Sequence, residues 1–318
     1  MARPGPRHAA RIRAPHMRIF LTGATGYVGS PVMHAFLRGG HEVVALVRSA
    51  DKADRIARHG VQPIVGELAR PDLFKDAAAG CDCLVHTAFE SSRQGAEVDL
   101  QAVHTFLEIG ARRASLAPTS FIYTSGVWVL GDTPAPADED ARLSPTPLVA
   151  WRPAVESRVV AGLGALRTVV VRPGIVYGSA RGIVGDLLRD AGNGLVRVVG
   201  NGQNHWPCVY ERDLADLYVR LAVHADAAGI FHATDEADER VDDIVEALAR
   251  HMKSQPDVRH MPIEEARAKM GPYADALALD QRVRSPRARA LGWAPTLSSI
   301  SRNVPRLLEE FRSGREAA

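Results

Sequence analysis

Short runs that are apolar throughout alternate with longer amphipathic stretches along most of this chain of 318 residues. The candidate strands are residues 18–22, 42–47, 61–65, 83–87, 121–124 and 168–171, and amphipathic segments lie between them at 32–37, 52–58 and 100–113. A strand with one wet face alternates apolar and polar residues, whereas one apolar on both faces is covered by helices on both sides. Strand–helix alternation of that kind predicts an α/β fold with a doubly wound parallel sheet. After residue 178 the regularity weakens, and Gly192, Gly194, Gly200 and Gly202 mark loops. A smaller C-terminal lobe is expected there, with later helices at 213–224 and 241–252. The expected division is a basic leader at 1–16, a sheet domain at 17–178, and a lobe at 179–318, some segments of which return to the sheet domain.

Composition narrows the function. Apolar residues are 46% and charged residues 24% of the chain, which fits a globular protein and excludes fibrous or disordered classes. No apolar run approaches the roughly 20 residues of a membrane-spanning helix, so no membrane partner is expected. The net charge is only +2, and the leader holds four arginines and no acid. The body therefore carries no basic field for nucleic acid, and the leader is expected to be disordered and without function. Cys81, Cys83 and Cys208 cannot build a disulfide scaffold, which fits a reducing, cytoplasmic home. Without further Cys or His partners at ligand spacing, no metal site is expected.

The sharpest local signal is Gly23-Ala24-Thr25-Gly26-Tyr27-Val28-Gly29, which follows the first strand and opens a helix. Glycines at 23, 26 and 29 permit a tight turn, close approach of backbone to a pyrophosphate, and close helix–strand packing. The amides of the helix start, with its dipole, then hold the anion. Gly23, Thr25, Gly26, Tyr27, Val28 and Gly29 are thus candidate cofactor contacts in a Rossmann-type dinucleotide site. An NAD site wants an acid about 20 residues on, to accept from the ribose hydroxyls. The chain has Arg48-Ser49 there instead. Arg48 suits a 2′-phosphate and Ser49 adds a hydroxyl, so the expected cofactor is NADP, with NAD the lesser fit.

With later motifs, these residues resemble the extended and atypical short-chain dehydrogenase/reductases, the NAD-dependent epimerase/dehydratase group, from Met17 nearly to the end. The resemblance implies that Glu67 and Leu68, in Gly66-Glu67-Leu68, approach the adenine. It places Thr87 and Ala88, in Val85-His86-Thr87-Ala88, near the nicotinamide ribose. Pro173, Gly174 and Ile175, in Arg172-Pro173-Gly174-Ile175-Val176-Tyr177-Gly178, would contact the nicotinamide end. Tyr123-Thr124-Ser125-Gly126 resembles the fifth-strand active-site motif; the family's Ser/Thr that orients a substrate carbonyl aligns best with Gly126, with Ser125 or Thr124 the hydroxyls that could serve instead. The resemblance also implies a small-molecule substrate and a homodimer.

The catalytic centre departs from that pattern. Family members use a Tyr and a Lys four residues apart on one helix face, the Tyr exchanging a proton with the substrate oxygen. The four lysines here are Lys52, Lys75, Lys253 and Lys269, and none follows a tyrosine by four residues. By spacing, Trp151 stands for the Tyr and Val155 for the Lys, and an indole N–H donates a hydrogen bond but relays no proton. Replacement candidates are Arg152, either stabilising an oxyanion or pairing with Glu156 four residues on; Asp99, either a proton donor or a backbone acceptor; and His205, in a loop of the smaller lobe, as general acid. The expected function is an NADP-dependent oxidoreductase acting on the carbonyl or alcohol of a small organic substrate. The alternatives are a nucleotide-sugar epimerase or dehydratase, supported by Arg181, Arg189 and Arg197, and a non-catalytic NADP-binding sensor.

Overall fold

The computed structural model describes residues 16–316, so most of the basic leader lies outside the described residues. The first half runs β1 (Arg18–Thr22), α1 (Gly29–Arg38), β2 (Glu42–Val47), α2 (Ala50–Ala57), β3 (Gln62–Val65), α3 (Lys75–Ala79), β4 (Cys83–His86), α4 (Gly95–Ala114), β5 (Ser120–Thr124), α5 (Arg152–Ala161) and β6 (Arg167–Pro173). The second half runs β7 (Ile175–Tyr177), α6 (Gly182–Gly192), β8 (Leu195–Val199), β9 (His205–Trp206), β10 (Cys208–Tyr210), α7 (Glu211–Val223), β11 (Gly229–Ala233), β12 (Glu239–Arg240), α8 (Val241–Arg250), β13 (Asp257–Met261), α9 (Ile263–Met270), α10 (Tyr273–Ala278), α11 (Pro286–Ala290) and α12 (Val304–Glu316).

Seven strands form one sheet in the order β3-β2-β1-β4-β5-β6-β11, every neighbouring pair parallel. Successive side chains of a strand face opposite ways, and in the inner strands both faces are dry, while the edge strand β3 is partly exposed. Ile19 and Leu21 of β1 pack with Phe36, Leu217 and Leu221 of α1 and α7. Phe20 between them packs with Val103, Phe106, Val155 and Val159 of α4 and α5. That is why the strands read as apolar throughout. The chain order reverses between β1 and β4, and at this switch point a crevice opens beyond the carboxyl ends of the strands. The register Thr22↔His86, His86↔Tyr123 and Thr124↔Val171 lines those ends up along one edge.

A second apolar cluster, with Tyr177, Leu188, Val198, Ile244, Leu248, Ile300 and Leu307, holds together the elements beyond the sheet. Segments also return from this half: β11 extends the sheet edge and α7 packs beside α1. α5 begins only at Arg152, after a short 3-10 turn at Pro147–Val149. Pro153 at the second helical position, where no helical N–H is needed, sets that start.

Candidate active site

The glycine motif folds into a tight loop over the end of β1. Gly26 donates to the Gly23 carbonyl at 2.7 Å, and Gly23 has φ +79°, a left-handed conformation that favours glycine. A Cβ on Gly29 would run into the Gly23 carbonyl, and one on Gly23 would come within 2.7 Å of Thr87 Oγ1. Thr87 in turn donates to the Thr22 carbonyl at 2.7 Å, so the end of β4 braces the loop from below. Tyr27 ties its far side to the opposite wall, donating to the Val176 and Gly178 carbonyls at 3.2 and 3.0 Å. Among the described residues the amides of Tyr27, Val28 and Gly29 find no backbone acceptor, which leaves an anion cradle at the start of α1.

At the end of β2, Arg48 is exposed and has neither a hydrogen bond nor an ion pair with any described residue. Ser49 is already engaged: its hydroxyl caps α2, accepting from the Lys52 amide at 3.4 Å. Glu67 and Leu68 follow β3 directly, Glu67 exposed and Leu68 half-buried. Ala88 donates its amide to Thr22 Oγ1 at 3.3 Å.

Beyond the loop lies a cleft of about 670 Å³, and Ser125, Trp151, Arg152, Pro173, Gly174 and Ile175 line it together with Tyr27, Phe89, Arg93 and Trp128. Ser125 sits just after β5, its amide bonded to the Val171 carbonyl at 2.8 Å. Its hydroxyl is buried and has no partner. Such orphans are rare, and this one borders a cleft, so the site suits a ligand that supplies the missing partner. Trp151 stacks on Phe89 with ring centroids 5.5 Å apart and planes 11° from parallel. Arg152 lies 4.5 Å from the Trp151 ring and donates from Nη1 to Tyr123 Oη at 3.2 Å and to the Thr124 carbonyl at 3.1 Å. Tyr123 is fully buried and donates to Asp99 Oδ2 at 2.7 Å. Burial pushes its phenol far above the ordinary tyrosine range. Below it, His86 pairs with Thr22 Oγ1 at 2.7 Å through Nδ1. Its Nε2 lies 3.3 Å from Asp99 Oδ1, out of line for a hydrogen bond.

Three expectations are revised by this geometry. Asp99 lies beneath the cleft and not in it, as the acceptor that fixes Tyr123. Arg152 does not pair with Glu156, because Arg172 of β6 takes that carboxylate through three contacts of 2.6–3.2 Å, with both side chains buried. His205 does not line the cleft either: it sits on β9, with its amide and Nδ1 both held by Asp280 Oδ1 at 2.9 and 2.7 Å. Phe89, Trp128 and Arg93 were not singled out in the sequence. Phe89 carries a faint signal, as a large apolar residue among polar ones right after a strand.

A model of the NAD dependent epimerase/dehydratase family matches residues 19–233. The chain belongs to that family. It is 31% identical over 292 residues to an uncharacterized protein of Schizosaccharomyces pombe, covering 89% of this chain and 97% of that one. It is 25% identical over 261 residues to the 4-hydroxy-2-methyl-3-oxo-4-farnesyl-3,4-dihydroquinoline-1-oxide ketoreductase of Stigmatella aurantiaca, covering 79% and 78%. Among solved structures it shares its fold with Thermus thermophilus UDP-glucose 4-epimerase in complex with NAD, at TM-score 0.76, 20% identity and coverage of 93% and 99%. The human epimerase family protein SDR39U1 with NADPH superposes at TM-score 0.71, with 21% identity and coverage of 92% and 99%. Family membership, with relatives named as reductases and dehydrogenases, makes the chain an oxidoreductase that works with a nicotinamide cofactor. The residues present fit that cofactor: the glycine cradle has no room for a Cβ, and an unpartnered hydroxyl stands at the far end.

Within this epimerase/dehydratase member the Tyr/Lys position is occupied by structure of another kind. Trp151 forms an aromatic wall with Phe89, and Val155 is buried in the core under α5. Among the described residues no cluster of His, Cys, Asp and Glu is arranged to hold a metal ion, and no helix is long and apolar enough to cross a membrane.

Proposed function

We propose that the protein is an NADP-dependent reductase of a carbonyl group in a small organic molecule. The observation that carries the reading is the buried, unpartnered Ser125 hydroxyl in the wall of the cleft that Pro173, Gly174 and Ile175 also line. NADPH, when bound, supplies the two electrons and one hydrogen that go to the carbonyl carbon. Ser125 donates a hydrogen bond to the carbonyl oxygen and so favours the negative charge that develops there. No side chain lining the cleft is a neutral-range acid: Tyr27 donates to two carbonyls and is held well above its ordinary pKa, mainly by burial. The guanidinium groups of Arg93 and Arg152 donate hydrogen bonds without giving up a proton. The proton that completes the alcohol therefore comes from water, passed through the Ser125 hydroxyl.

The NADP preference rests on Arg48, a free cation at the end of β2 where an NAD site would place an acid. Three free buried cysteines support a cytoplasmic home. The nucleotide-sugar alternative draws little from the geometry, since Arg189 pairs with Asp186 and neither it, Arg181 nor Arg197 lines the cleft.

The test follows NADPH and NADH consumption by purified protein against a panel of ketones and aldehydes. NADPH-dependent turnover is expected, and Arg48→Ala should raise KM for NADPH about tenfold or more while leaving NADH unaffected, the loss of one charge-assisted phosphate contact. Equal use of both cofactors by the unmodified protein would overturn the NADP assignment. Tight NADPH binding with no turnover on any carbonyl would favour the sensor.

A further inference from the structure

The cleft has a one-sided charge. Two arginines, Arg93 and Arg152, line it, and no aspartate or glutamate does. The carboxylates that might have neutralised Arg152 are engaged elsewhere: Glu156, one turn along α5, by Arg172, and Asp99 by the Tyr123 hydroxyl. Arg93 is exposed and has no bonded partner among the described residues.

Arg152 is also held in a particular way. A guanidinium has five N–H groups in one plane, and Nη1 carries two of them. Both are used at Nη1, on Tyr123 Oη and the Thr124 carbonyl. Nε and Nη2 have no partner among the described residues, and neither is an atom shut off from solvent. Those two atoms form the edge that grips a carboxylate with two parallel hydrogen bonds. The plane is fixed before any ligand arrives. The guanidinium carbon lies 4.5 Å from the Trp151 ring and 5.3 Å from the Phe89 ring, and its far nitrogen is anchored. Little side-chain entropy is lost on binding an anion there. The remaining wall is apolar, with Trp128, Leu148, Val149, Ile175 and Ile183.

We infer that the substrate of this cleft is an oxo acid: a carboxylate docked on the Nε/Nη2 edge of Arg152, with an apolar or aromatic body against Trp151, Phe89 and the aliphatic wall. This deepens the carbonyl-reductase reading and rests on it for the word oxo, while the carboxylate site stands on Arg152 alone. Arg152 is then a substrate-binding residue that fixes which carbonyl reaches Ser125. Trp151 serves as the platform that holds the guanidinium flat.

The test is isothermal titration of the intact protein, with and without saturating NADP, using 4-phenylbutanoate and its neutral isostere 4-phenylbutanamide. Neither probe has a ketone, so binding is read apart from turnover. NADPH binding, followed by the cofactor's own fluorescence, is measured separately. The acid is expected to bind about 10–100-fold more tightly than the amide, the range of a bidentate charge-assisted pair. Arg152→Gln should bring the acid to the affinity of the amide and leave the amide unchanged. Arg152→Lys keeps a charge on a flexible stem without the fork, and should retain a preference of about threefold or less. Equal affinity of acid and amide for the unmodified protein overturns the inference, as does an undiminished preference in Arg152→Lys. Failure of NADPH to bind, with the acid preference intact, would remove the reductase reading and leave the carboxylate site standing.

Discussion

Replacing Glu156 by alanine tests how the cleft is held together. Glu156 lies one turn into α5, and the Arg172 guanidinium meets it through Nε at 3.1 and 3.2 Å and through Nη2 at 2.6 Å. Each side chain is only 2% exposed. The pair joins the first turn of α5, which carries Arg152, to the end of β6, which leads into Pro173 and Gly174. Removing the carboxylate strands a buried cation. His232 also touches Arg172, its Nε2 3.4 Å from Nη1; burial together with Arg172 pushes its pKa down to about 3, so it stays neutral, and an imidazole cannot replace the lost carboxylate. Breaking a buried pair from one side costs about 3–5 kcal/mol. At about 2–4 °C per kcal/mol for a domain of this order of size, the melting temperature should fall by roughly 6–20 °C. The double replacement Glu156→Leu with Arg172→Leu removes both charges and should recover most of the loss, since apolar substitutes of similar volume are often neutral. Melting followed by circular dichroism distinguishes the cases. A single replacement costing under about 1 kcal/mol, or a double replacement as damaging as the sum of two singles, would refute the claim that an uncompensated charge is the cause.

Other perturbations probe separate parts of the molecule. Glu211 is pushed up to about 7, chiefly by burial, so between its unfolded pKa near 4 and its folded value the native state holds a proton that the unfolded chain has lost. Its contribution is fully present below about pH 4 and disappears as pH rises through about 7, some 3 kcal/mol in all. Glu211→Gln should flatten that stretch of a urea-midpoint profile, and identical slopes in variant and parent would count against it. Gly29→Ala drives a Cβ into the Gly23 carbonyl and should abolish NADPH binding in a fluorescence titration while the fold survives; unchanged affinity would show that the cradle is not the phosphate site. Trp151→Phe keeps an aromatic platform and should leave kcat within about threefold, because no proton passes through the indole.

Much of the sheet was legible because its residues answer to local rules. β1 and β2 lie at the residues read from apolar runs, and the glycine loop sits where a strand meets a helix. The elements beyond the seven-stranded sheet were not legible in the same way. β8 and β13 pair across 62 residues, and Arg197 and Arg259 give their strands no uninterrupted apolar run. The site failed to read for a related reason. Asp99, Tyr123 and Arg152 meet from α4, β5 and α5, and nothing in their spacing announces the chain of hydrogen bonds. The i, i+4 rule pointed Arg152 toward Glu156, but a buried partner on a neighbouring strand won, because a desolvated carboxylate gains more from a bidentate arginine than from one at the surface. His205 resembled a free loop acid only as long as Asp280, far along the chain, was out of view.

The most direct measurement compares Ser125→Ala with the unmodified protein at saturating NADPH and a reducible ketone. Loss of one preorganised donor to a developing oxyanion lowers kcat by about 10²–10³. NADPH affinity should not change, because Ser125 lines the cleft and is not part of the glycine cradle. A kcat that survives intact would contradict the account, and would move the chemistry away from the one buried hydroxyl left without a partner in the cleft wall.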